Sequence, residues 1–255
     1  LVHEMSHMWY GDLVTCRWWG DLWLKESFAE FMGRHVSVEA NGFAEGWVNF
    51  ATGRKVGAYL ADSMPTTHPI VARIDDLEAA KTNFDRITYS KGAAALTQLV
   101  HYVGLDSFLA GARRYFDAHA FGSATLADFV AALDAETSQD LSGWIAAWLE
   151  TSGHDTLRPR VVLDDEGRIA DLRIERIDDT GAARPHATTV GLYRLRDGRL
   201  ELDTRVEVLL TGEQTQVDGA IGRPAPDLVL VNDLDHTFAA VALDERSREV
   251  LVRHI

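Results

Sequence analysis

Cysteine is almost absent: Cys16 is the only one in 255 residues, so no disulfide can close within the chain. A reducing, cytoplasmic setting suits such a chain, and Cys16 reads as a small buried hydrophobe rather than a reactive thiol. Positive charge is also scarce, with 25 Lys and Arg against 39 Asp and Glu, a net −14. That balance excludes the basic footprint on which nucleic-acid binding depends. No apolar run approaches the ~20 residues of a membrane-spanning helix. No secretory signal, internal repeat or low-complexity tract is visible. What is present is ordinary for a globular protein with one or two domains and a sizeable core: 46% hydrophobic and 25% charged residues.

Against this background one motif stands out. In His3-Glu4-Met5-Ser6-His7 the two histidines are four residues apart, so on a helix both imidazoles project from one face and can reach one metal ion. Glu4 lies beside the pair, within reach of a metal-bound water without being a ligand. After eighteen intervening residues comes Glu26, near the start of a second helical pattern (21–40) that buries Leu24, Phe28, Phe31, Met32, His35 and Val36. Two histidines and a glutamate with one open position form a recurrent catalytic zinc set. A glutamate in a first helical turn is also what the helix dipole favours, which is the competing reading of Glu26. The spacing predicts a zinc peptidase with one Zn2+ per chain, held by His3, His7 and Glu26.

The text around these residues resembles the aminopeptidase N family of gluzincin metallopeptidases. The stretch from His3 to Thr15 is similar to its zinc-binding segment, and Trp19 to Glu30 to the segment with its third ligand. Thr88-Tyr89-Ser90-Lys91-Gly92 matches its Tyr-x-Lys-Gly element, in which the tyrosine is catalytic. Tyr10 and Asp12 stand where Phe and Asn are commoner, and Lys25-Glu26-Ser27 replaces the usual Asn-Glu-Gly. The resemblance implies a zinc-activated water attacking a peptide bond, Glu4 as general base and then acid, and Tyr89 as hydrogen-bond donor to the oxyanion. The function expected is removal of N-terminal residues from peptides. The alternatives are a related epoxide hydrolase, a metallo-endopeptidase, or an inactive truncated chain. The family's upstream Gly-x-Met-Glu-Asn element, which holds the substrate's α-amine, does not occur in this sequence. The chain is therefore expected to be a fragment, with the N-terminal domains of the same polypeptide as partners of the site.

Periodicity divides the chain. Residues 1–153 are expected to be almost wholly helical, the helical zincin-type part of a catalytic domain, with Gly104 as a C-cap and Asp106 and Thr125 as N-caps. After Gly153 the apolar period changes from 3.6 to 2: Leu200, Leu202, Thr204, Val206, Val208 and Leu210 alternate with polar residues. Asp197-Gly198 signals a hairpin between Tyr193–Arg196 and the following strand. Residues 154–243 are expected to form a small antiparallel β-sandwich, and 244–255 to start a further helical domain behind Asp244.

The remaining polar residues carry plainer expectations. Glu30 is either an outer partner of a ligand histidine or a solvated carboxylate. Asp12 is a turn residue or a similar acceptor, and Lys91 is expected on a helix surface. His35, His68, His101, His119, His154, His186, His236 and His254 have no partner at ligand spacing and read as ordinary. Trp18, Trp19 and Trp23 read as core or pocket wall.

Overall fold

The computed structural model describes residues 1–254 and separates into two compact units, Leu1–Gly153 and His154–Ile255. The first contains α1 (Val2–Ser6), β1 (Val14–Cys16), α2 (Leu22–Asn41), α3 (Glu45–Asn49), α4 (Lys55–Asp62), α5 (Leu77–Thr82), α6 (Gly92–Val103) and α7 (Leu105–His119). It ends with β2 (Gly122–Ala124), α8 (Leu126–Asp134) and α9 (Leu141–Trp148). In α2 the residues Trp23, Leu24, Phe28 and Phe31 are buried, and Gly42 closes the helix in the left-handed conformation at φ 68°. Tyr10, Phe28, Tyr115 and Phe129 form an aromatic cluster, with the Tyr10 ring 4.2 Å from Phe28 and 5.2 Å from Tyr115. Each such buried ring contributes about 1.5–3 kcal/mol through area removed from water.

The helix ends follow local chemistry in part. Thr125 makes a full capping box with Asp128 at the start of α8. Asp106 does not cap α7; Gly104 occupies that position and Asp106 lies in the first turn. Asp21 precedes α2 but its side chain accepts from the Leu126 backbone at 3.0 Å, so it ties α2 to α8. The expectation of an almost wholly helical first unit needs one amendment. The short strands β1 and β2 pair in parallel, Val14 opposite Gly122.

The second unit comprises β3 (Asp155–Leu163), β4 (Ile169–Ile177), β5 (His186–Arg196), β6 (Arg199–Leu210), β7 (Gln214–Gln216), β8 (Leu228–Val231), β9 (Ala239–Val241) and α10 (Glu245–His254). One sheet has the order β7-β4-β3-β9 and the other β6-β5-β8. Leu157, Leu172 and Ile174 from the first share one core with Val190, Leu192 and Val231 from the second. The mixed helical and sheet fold expected from the sequence is therefore what forms, except that β3 and β9 run parallel rather than antiparallel. The hairpin turns at Asp197 and Gly198, both at positive φ, with Arg196 opposite Arg199. His186 is not an ordinary histidine. It is fully buried, with Nε2 2.8 Å from Asp155 and Nδ1 2.7 Å from Thr237, while Arg184 donates to the same aspartate at 2.7 Å. No helix among the described residues is long and apolar enough to cross a membrane.

Candidate metal centre

Two helices build the centre. α1 with its C-cap residue carries His3 and His7 one turn apart and packs against α2, which carries Glu26 and Glu30 on successive turns. The approach is close at Gly33. A Cβ there would lie 3.3–3.4 Å from the His3 backbone and Cβ, so a hydrogen at this position lets α1 settle onto α2. The two imidazoles meet edge to face with centroids 4.9 Å apart.

One donor atom from each of His3, His7 and Glu26 lies within 4.8 Å of the other two. The Glu26 Oε2 atom is 3.8 Å from His3 Nε2 and 3.4 Å from His7 Nε2. Ligands bound at ~2.0–2.1 Å around a tetrahedral ion stand roughly 3.4 Å apart, so the spacing suits zinc. The remaining nitrogens are engaged elsewhere. His7 Nδ1 is 3.1 Å from the Tyr10 carbonyl oxygen, and His3 Nδ1 is 3.2 Å from Glu30 Oε2. Both partners are acceptors, which holds the proton on Nδ1 and turns the Nε2 lone pair of each ring toward Glu26. Two imidazoles and one carboxylate of this geometry are a donor set that zinc accepts.

Glu30 is the better defined of its two readings: it is buried and partnered rather than solvated. Its Oε1 accepts from Arg34 at 2.8 Å and faces Arg54 at 3.5 Å, while the Arg34 guanidinium stacks 4.4 Å from the Phe50 ring. Asp12 is an exposed turn residue whose backbone N–H donates to the His7 carbonyl. The group of Tyr10 that meets His7 is its backbone carbonyl, so this contact does not depend on which side chain stands at position 10.

Tyr89 belongs to a π-helical turn, Ile87–Lys91, that leads directly into α6. Its hydroxyl is pushed up to about 12, first by burial and then by the charges of Glu26, Glu30 and Glu4 and a hydrogen bond to Glu26. Tyr89 therefore faces the same group of carboxylates. Glu4 is exposed beside His3. The structure thus brings His3, Glu4, His7, Glu26 and Tyr89 to one place.

Sequence reasoning missed how the tyrosine turn is held. Ser27, fully buried one residue after Glu26, donates to the Thr88 carbonyl at 2.7 Å, and Gly92 leaves it room. Lys91 corrects the surface expectation: it is buried and pairs with Asp62 at 2.9 Å, also donating to the Gly153 carbonyl. The signals in the sequence were a serine in place of the family's commoner glycine and a lysine within an otherwise apolar helical pattern. As expected, Trp23 is core, and Trp18 and Trp19, each about half exposed, line the wall of a pocket beside Cys16 and Lys25.

Comparison with known proteins agrees with this geometry. The model of the Peptidase family M1 domain matches residues 1–148. Aminopeptidase N of Streptomyces lividans is 42% identical over 100% of this chain, which corresponds to 31% of its own length. A probable aminopeptidase 2 of Sulfurisphaera tokodaii is 33% identical over 86% of the chain, and the membrane alanyl aminopeptidase of Manduca sexta 28% identical over 98%. The chain spans about a quarter to a third of the length of these relatives, 31%, 27% and 26% respectively.

Proposed function

The chain belongs to peptidase family M1, and from that premise we propose that it carries the catalytic centre of a zinc-dependent aminopeptidase, with one zinc ion held by His3, His7 and Glu26. The observation that supports this most is the convergence of their three donor atoms while the second nitrogen of each imidazole is engaged by an acceptor. Zinc bound there supplies Lewis acidity toward a peptide carbonyl and lowers the pKa of water toward ~7.

The chain's own groups do the rest. Glu4 takes the proton of the attacking water and returns it to the departing amine. Tyr89 is a phenol, whose ordinary pKa of about 10 keeps it protonated at neutral pH, and it donates a hydrogen bond to the substrate oxygen as negative charge develops on it. Glu30, anchored by Arg34, and the Tyr10 carbonyl keep both imidazoles oriented. The substrates are peptides with a free N-terminus, in line with the aminopeptidase names of the relatives.

The test uses hydrolysis of an alanyl or leucyl arylamide by the full-length protein. Glu4→Gln is expected to retain its zinc and to lose turnover by roughly 10²–10⁴-fold. A Glu4→Gln protein with unimpaired turnover would remove Glu4 from the mechanism.

A further inference from the structure

Tyr89 sits in the one part of its helix that is not α-helical. A π-helical turn has poorer backbone geometry than the α-helix and persists where its surroundings over-determine it. On its C-terminal side the surroundings are the Ser27 contact to the Thr88 carbonyl and the Lys91–Asp62 pair. The N-terminal side depends on a different group. Asp85 Oδ1 accepts from the backbone N–H of Ile87 at 2.8 Å and of Thr88 at 3.1 Å, so one carboxylate oxygen satisfies both orphan donors at the start of the turn. The Tyr89 N–H donates to the Asp85 carbonyl, and the Thr88 hydroxyl donates to the Asn83 carbonyl.

The other oxygen of Asp85 lies 3.1 Å from His68 Nε2. His68 comes from the segment between α4 and α5, and that segment is pinned on both sides. Thr67 donates to Asp62 at 2.7 Å, Ile70 is buried, and the Val71 N–H donates to the Leu149 carbonyl. Pro69 follows His68 and restricts it to an extended backbone. His68 Nδ1 lies 2.8 Å from the Pro69 carbonyl oxygen. A carbonyl and a carboxylate can only accept, so His68 makes both bonds only as an imidazolium, with each nitrogen donating. The charged groups around it are Asp85 and Lys91, the latter paired with Asp62. Neither His68 nor Asp85 belongs to the metal donor set.

We propose that His68 and Asp85 are positioning residues for the reaction: the imidazolium orients the Asp85 carboxylate, which caps the π-helical turn and so places the Tyr89 hydroxyl. This rests on the reading of Tyr89 as the donor to the developing oxyanion. A tyrosine displaced by a fraction of an ångström donates less well in the transition state while leaving ground-state binding nearly unchanged.

The experiment is a kinetic double-mutant cycle in the full-length protein on an alanyl arylamide, together with zinc analysis and hydrogen exchange of the 85–91 amides. His68→Ala is expected to lower kcat by about tenfold with KM within about twofold. Zinc content should be unchanged, and the Ile87 and Thr88 amides should exchange faster. His68→Gln, whose amide can still donate to Asp85, should recover most of kcat. In a Tyr89→Phe background His68→Ala should cost almost nothing more, because no hydroxyl remains to be placed. Independent, multiplicative losses in the double variant would overturn the proposal, as would full kcat in His68→Ala. Should His68→Ala not fold, Asp85→Asn carries the same test, with the same expected split between kcat and KM. Unimpaired kcat in Tyr89→Phe alone would instead overturn the reading of Tyr89. The exchange rates would then still decide whether His68 holds the turn.

Discussion

At the scale of single residues, what each imidazole can do at its Nε2 atom is decided at its Nδ1 atom. His7 relies on a backbone carbonyl, which no substitution can remove, whereas His3 relies on the Glu30 carboxylate. Glu30 holds that orientation because Arg34 and Arg54 face its other oxygen and fix the carboxylate in place. Glu30→Ala is therefore expected to lower zinc affinity by roughly 10–100-fold, read by competition with a chelator of known affinity. An unchanged affinity would make Glu30 a packing residue only. The convergence of the three candidate donors was legible in the sequence because their spacing is local: two histidines four residues apart and a glutamate in the first turns of the next long helix. The partners of Lys91 and His68 were not. Asp62 lies 29 positions from Lys91 and Asp85 lies 17 from His68, and residue type gives no clue to pairings that only the packed fold creates.

At the scale of elements, the candidate centre is first of all a helix–helix contact. α1 is a single short piece of helix, too brief to be stable by propensity alone, and it is held by packing on α2. Gly33 is where that packing is closest. Gly33→Val is expected to push α1 away from α2, separating His3 from Glu26 and reducing zinc affinity on the order of tenfold. Circular dichroism should record little loss of helix, since α1 contributes few residues. Tight zinc binding in that variant would mean that the ligands assemble without this contact. The period of the apolar residues announced α2 and the strands of the β5–β6 hairpin, while Gly104 marked the end of α6 and Thr125 the start of α8, since local burial and turn or cap chemistry determine them. The β3–β9 parallel pairing and the short β1–β2 pair escaped, because three-residue strands carry no detectable period and their partners are remote in the chain.

At the scale of the whole molecule, the change of period near Gly153 coincides with the boundary between the two compact units. The donor atoms, Glu4, Tyr89 and the groups that orient them all fall in the first unit, within the residues matched by the M1 domain model. The second unit has its own apolar core and a buried cluster of Asp155, Arg184 and His186 that takes no part in the metal set. The proposed chemistry of the first unit depends on His3, His7 and Glu26 together holding one zinc ion. The most direct test is metal analysis of the purified protein after removal of loosely bound ions, beside Glu4→Gln and His7→Ala. One zinc per chain is expected in the unchanged protein and in Glu4→Gln, and nearly none in His7→Ala. A full complement of zinc in His7→Ala would contradict this assignment.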